Sequence, residues 1–218
     1  LTAGNAGVDF ASTVDGAQNL AIHTSGETRF QGAVGGGTAL ASLATDAGGL
    51  TRLGANVTTS GAQSYGDALQ LDASVTLAAT GTASNVQFNG AVNAATAGTQ
   101  SLTVNATGQA GFGAAVGATA ALGGLDVSAA TIAVGNATTT GAVTLDGSAT
   151  LGGNLATNGG AFSGPRPAMP GGPPHARPWR AGPGDPEPIT IAMGGCSLLS
   201  KAASLRQSMP RSLKDSHS

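Results

Sequence analysis

The chain has 218 residues with 9 Lys and Arg against 11 Asp and Glu, a formal net charge of −2. Charged residues make up 9% and aromatics 3%, while Gly fills 36 positions; an average domain is about a quarter charged. That balance excludes a charge-rich disordered chain for the bulk of the sequence, a basic nucleic-acid-binding surface, and, with its single Cys, an intramolecular disulfide framework.

The opening Leu1-Thr2-Ala3-Gly4 has neither a start Met nor a basic-then-apolar leader. A repeat pattern is already running at Val8, so the chain reads as the interior of a longer protein. Short alternating segments follow one another: Phe10…Val14…Leu20-Ala-Ile22, then Phe30…Val34…Leu40…Leu43, then Tyr65…Leu69…Leu71 and Val75-Thr-Leu77. The pattern resumes with Phe88…Val92…Leu102-Thr-Val104, Phe112…Val116…Leu122…Leu125, Ile132-Ala-Val134 and Val143-Thr-Leu145. Alternation with period two puts these apolar side chains on one face of a strand. Gly, Asn, Asp and Ser fill the gaps and supply the turns.

Larger blocks also recur about 80 residues apart. Val8–Val14 (VDFASTV) returns as Val86–Val92 (VQFNGAV), Gly26–Leu43 as Gly108–Leu125, and Asn56–Gly61 (NVTTSG) as Asn136–Gly141 (NATTTG). Residues 1–163 therefore form a repeat region of two such copies. Three or so short strands every 20 to 24 residues predict an all-β fold, a β-solenoid of about seven coils. Stacked coils lie about 4.8 Å apart, so Phe10 is expected over Phe30 and Phe88 over Phe112. An open or sandwiched antiparallel β array is the alternative.

The segment GxTxFxGxVGGxTALxSL at Gly26–Leu43, with VTTSGAQSY at Val57–Tyr65 and VQFNGAV at Val86–Val92, resembles the β-strand repeats of filamentous-haemagglutinin-type bacterial exoproteins. The resemblance runs over roughly residues 5–155. It implies a secreted or cell-surface β-helical shaft used in adhesion, aggregation or biofilm. It also implies a surface receptor or glycan as partner, and an outer-membrane secretion partner for the whole protein. It brings no catalytic residues.

Near residue 163 the composition switches. All ten Pro, all three Met, the Trp and the Cys lie beyond it, and acids no longer outnumber bases. Residues 164–218 read either as a Pro-rich disordered linker or as the product of a frame change in a GC-rich gene. Within them Met193-Gly-Gly-Cys196 and Pro167-Ala-Met-Pro170 match short motifs only by composition.

No catalytic, cofactor-binding or metal-ligating residue is assigned. His23 with Asp15, Glu27 and nearby hydroxyls could be written as a triad, but triads are defined by geometry. The acids Asp9, Asp15, Asp46, Asp67, Asp72, Asp126 and Asp146 are scattered, without the Gly-Gly-x-Gly-x-Asp spacing of calcium-loading repeats. A β-helical carbohydrate-active enzyme would need Asp clustered with Arg or Lys in one groove, and the repeat region 1–163 holds only Arg29 and Arg52 and no Lys. Thr58-Thr59 and Thr138-Thr139-Thr140 would form an ice-binding ladder if the two copies superposed on one face. Asn56, Asn105 and Asn136 fit the N-x-T pattern, which arises readily in so Asn- and Thr-rich a chain. The apolar stretch Gly113–Gly135 is long enough to raise a membrane span, but its Gly content and Asp126 mark it as repeat.

Overall fold

A computed structural model describes residues 1–164 and the backbone of Trp179–Arg180. The described chain is an all-β, parallel β-solenoid of about seven turns. Each turn has three sides. On the first, Thr2–Gly4, Asn19–Thr24, Ser42–Thr45, Gln63–Tyr65, Val86–Phe88 and Gln109–Phe112 stack in parallel. Residues 131–134 and 148–151 continue that column. The second stacks Val8–Phe10, Glu27–Phe30, Leu50–Leu53, Ala68–Leu71 and Val92–Ala94, then single bridges through Val116 to Ala137. The third runs from Val14 and Val34 through Val57–Thr59, Val75–Ala79 and Ser101–Ala106 to residues 124–128 and 143–146. The column closes on Phe162–Gly164, whose Ser163 and Gly164 also pair antiparallel with Arg180 and Trp179. The linker or frame-change reading of 164–218, with the Cys196 and PxxP motifs, otherwise lies outside the described residues.

Alternation decides which side chains enter the interior. Along Ala68–Leu71 and Val75–Ala79 every second residue is buried, as period-two geometry requires. The core is a single column of Leu, Val, Ile, Ala and a few aromatics. Phe10 lies over Phe30 with ring centroids 4.9 Å apart and planes 3° apart. On the first side Tyr65, Phe88 and Phe112 form a second stack at 5.4 and 4.7 Å. Each buried ring is worth roughly 1.5–3 kcal/mol, and stacking adds about 0.5–1.5. The Tyr65 hydroxyl donates to Gln63 Oε1 at 2.9 Å, and Gln63 Nε2 donates to Ala78 O at 3.0 Å. This polar insertion is thereby satisfied, as a buried network has to be.

The two sequence copies adopt the same local shape on different sides. Val8–Phe10 lies on the second side but Val86–Phe88 on the first; Asn19–Thr24 lies on the first but Ser101–Ala106 on the third; Val57–Thr59 lies on the third but Ala137–Thr138 on the second. One copy spans three full turns and two further sides, so the next starts one side out of phase.

Candidate functional site

Outward positions of the second side carry the most polar chemistry among the described residues. Backbone register sets Asp9, Arg29, Arg52, Gln70 and Asn93 one above another across five successive turns. Two residues further along each strand, Gln31, Gly54 and Asp72 form a neighbouring column, because side chains two apart share a face. Arg52 donates from Nε and Nη2 to Asp72, at 3.1 and 2.7 Å to Oδ1, and its Nη1 lies 3.7 Å from Glu27. That bond to Asp72 holds the guanidinium more firmly protonated, against a smaller desolvation effect. Arg29 Nε lies 3.6 Å from Asp72 Oδ2 without a hydrogen bond. Gln31 Nε2 donates to both Asp9 oxygens at 2.9 Å. A shallow, open groove of ≈ 320 Å³ continues this face, lined by Leu50, Ala68, Gln70, Asn93, Ala95 and Thr119 among others.

The corner between the first and second sides holds a second cluster. Thr24 N–H donates to Asp46 Oδ1 at 3.1 Å, and His23 Nδ1 lies 3.8 Å from Asp46 Oδ2. Asp67 is 2% exposed and accepts from Gly49 N–H at 2.7 Å and the Thr51 hydroxyl at 3.1 Å. Burial pushes the Asp67 carboxyl above the usual carboxylate range; the Asp46 charge adds to this, and the two hydrogen bonds oppose it.

These placements dispose of several paper constellations. His23 meets Asp46, whereas Asp15 accepts the Gly37 and Thr38 N–H groups and Glu27 faces Arg52, so the written triad does not assemble. The Thr58-Thr59 and 138–140 segments sit on different sides. Thr59 and Thr139 point inward, fully buried, and donate to Gly61 O and Gly141 O. The two copies do not superpose on one face, because the copy length is not a whole number of turns, so these Thr residues do not line up as one ladder. Asn56 and Asn136 use their Oδ1 to accept Thr76 and Asn154 N–H at 2.8 Å, tying adjacent turns at a corner. On the third side Asp126 pairs by register with Thr144 and Asp146 with Ser128, away from the other acids. Among the described residues no group of three His, Cys, Asp or Glu is placed to share an ion, and no helix is long and apolar enough to cross a membrane.

Sequence reading missed the Asp9–Arg29–Arg52–Asp72 face and the Asp46–Asp67 corner by treating the acids as scattered. The signal was present: those positions recur at the coil spacing already visible in the Phe residues. The fold and its faces define a three-sided parallel β-solenoid with one ion-paired face. No protein-family model, curated protein or solved structure matches the chain.

Proposed function

We propose that this chain is a shaft segment of a secreted or surface-exposed bacterial repeat protein serving adhesion, aggregation or biofilm, and not an enzyme. The supporting observation is the uninterrupted pairing of each turn to the next, from Thr2 to Gly164, around one apolar column. A rod built this way gains length by adding turns, and its nearest-neighbour energetics suit an extended spacer. Arg29 and Arg52 share a face with three acids, the grouping a carbohydrate-active enzyme would need. Arg52 and Asp72, however, spend their hydrogen bonds on each other, which suits a structural face better than a catalytic one.

Display of the chain on a non-adherent bacterium tests the reading. Increased cell aggregation or attachment, abolished when the coil stack is broken by Phe88→Asp, is the expected result. Cells that settle and attach no more than carriers of an unrelated β-rod would overturn it. A neighbouring gene for an outer-membrane transporter would support export.

A further inference from the structure

We infer that the groove on the second side, between Leu50 and the loop at 117–121, is a binding site for an uncharged glycan. The inference deepens the adhesive reading by naming the face and the ligand class. It starts from unspent hydrogen-bonding capacity. Elsewhere the half-buried and buried glutamines are engaged: Gln63 on Ala78 O, Gln100 on Thr96 N–H, Gln87 on Phe88 O. Among the described residues, neither the Gln70 amide nor the Thr119 hydroxyl has a partner. Asn93 spends only its Oδ1, on Thr119 and Ala120 N–H at 3.1 and 3.3 Å. Those two contacts fix the loop that walls the groove, so the free Asn93 amide N–H groups sit on a preorganised rim.

The rest of the lining selects the occupant. Leu50, Ala68 and Ala95 contribute an apolar floor, and no lining residue carries a formal charge. An apolar floor with a few convergent polar groups is the usual composition of a small-molecule site. A pyranose ring matches both parts, with its C–H face on the floor and its hydroxyls on amide and hydroxyl groups at the rim. The volume of ≈ 320 Å³ suits one or two such rings. Turns spaced about 4.8 Å apart repeat polar rungs at nearly the rise of an extended glycan. Charge argues against a polyanion: the nearest rung, Arg52, is engaged by Asp72 and Glu27. The remaining acids of residues 1–163 outnumber its two Arg, so the long-range field repels anions.

The test is titration of the whole chain with cellotetraose, maltotetraose and chitotetraose, followed by chemical-shift changes at Gln70, Asn93 and Thr119. At least one tetrasaccharide is expected to bind at these residues, with affinity unchanged by added salt because no ion pair forms. Gln70→Ala and, separately, Thr119→Val are expected to weaken binding at least tenfold while leaving the circular dichroism of the rod intact. Asp146→Asn on the third side is expected to bind like the parent chain. No shift with any of the three sugars would overturn the inference, as would full affinity in both groove variants. So would preferential, salt-sensitive binding of chondroitin sulfate. The adhesive reading fails separately. Displayed chains that aggregate cells but bind no tetrasaccharide sink only the groove, whereas sugar binding without any gain in attachment sinks only the shaft's adhesive role.

Discussion

Residues 34–40 (VGGGTAL) and 116–122 (VGATAAL) occupy different sides of the rod, yet they are built alike. Val34 N–H donates to Asn56 O and Val116 N–H to Asn136 O, both at 2.9 Å; Gly35 donates to Val14 O and Gly117 to Val92 O, both at 2.7 Å. Gly35 and Gly117 take φ of +69° and +68°. In each copy the residue after the paired Val, Asp15 or Asn93, accepts two loop N–H groups. The comparison separates two determinants. Local sequence dictates the shape of a loop and its ties to the neighbouring turn, while the summed length of the intervening sides dictates which way it faces.

The aromatic stacks give the largest test of that separation. Phe30 and Phe88 are both fully buried, but Phe30 stacks on Phe10 alone and pairs with Leu53 on its other side, whereas Phe88 lies between Tyr65 and Phe112. Either change to Ala is expected to cost about 3–5 kcal/mol. Phe88→Ala should exceed Phe30→Ala by about 0.5–1.5 kcal/mol, the worth of one further stack. Urea denaturation of the two variants measures the difference; equal losses would show that the flanking ring adds nothing beyond burial.

Next in size are the two loop glycines. A Cβ on Gly35 would collide with Thr58 O, and one on Gly117 with Thr138 O, in addition to the left-handed backbone. The conformation alone penalises an L-residue by roughly 1–2 kcal/mol, so Gly35→Ala and Gly117→Ala are each expected to cost at least about 2 kcal/mol. Because the local geometry is shared, the two losses should agree closely despite the different sides. A large inequality in their urea midpoints would mean that position on the rod outweighs local shape.

Thr28 offers a gain of smaller size. It is fully buried in the second-side column between Val8 and Thr51, and its hydroxyl has no partner. The corresponding residue of the second copy is Ala110, also fully buried. An unsatisfied buried hydroxyl costs about 1–3 kcal/mol, so Thr28→Val should stabilise the rod by about 1 kcal/mol. A fall in thermal midpoint would show that the hydroxyl is satisfied in solution.

These particulars also show what could be read from residues alone. Phe10, Phe30, Phe88 and Phe112 announced stacked coils because large apolar side chains at a regular interval have one economical arrangement. Alternation around Leu69 and Leu71, or Val75 and Leu77, announced strands. The phase of the copies was not legible, since it depends on accumulated turn lengths in which one extra residue at a corner is silent. A ladder joining Thr58-Thr59 to the 138–140 segment required the copies to be in phase, and they are not. The Arg29–Arg52–Asp72 network was hidden differently. Its members are ordinary surface residues singly, and Gly54 opposite Asp72 lets side chains from different turns converge only once the coils are stacked.

The smallest effect is the one most specific to the comparison. Asp15 and Asn93 do the same job with different chemistry. The Thr38 and Gly37 N–H groups hold the Asp15 carboxyl below its usual range, against a slight desolvation effect. A depressed folded-state value means that the unfolded chain binds the proton more readily. The contribution of Asp15 is thus fully present above the unfolded carboxylate pKa and is lost as pH falls through the folded one. Asn93 has no such titration. Hydrogen exchange at Gly37 and Thr38, corrected for intrinsic rates, should therefore lose protection on acidification below pH about 4, while Thr119 and Ala120 keep theirs. Asp15→Asn should convert the first loop to the behaviour of the second, flat across the acid range. If both loops lose protection together in the parent chain, the acid response belongs to the rod, and the carboxylate is not what ties the loop.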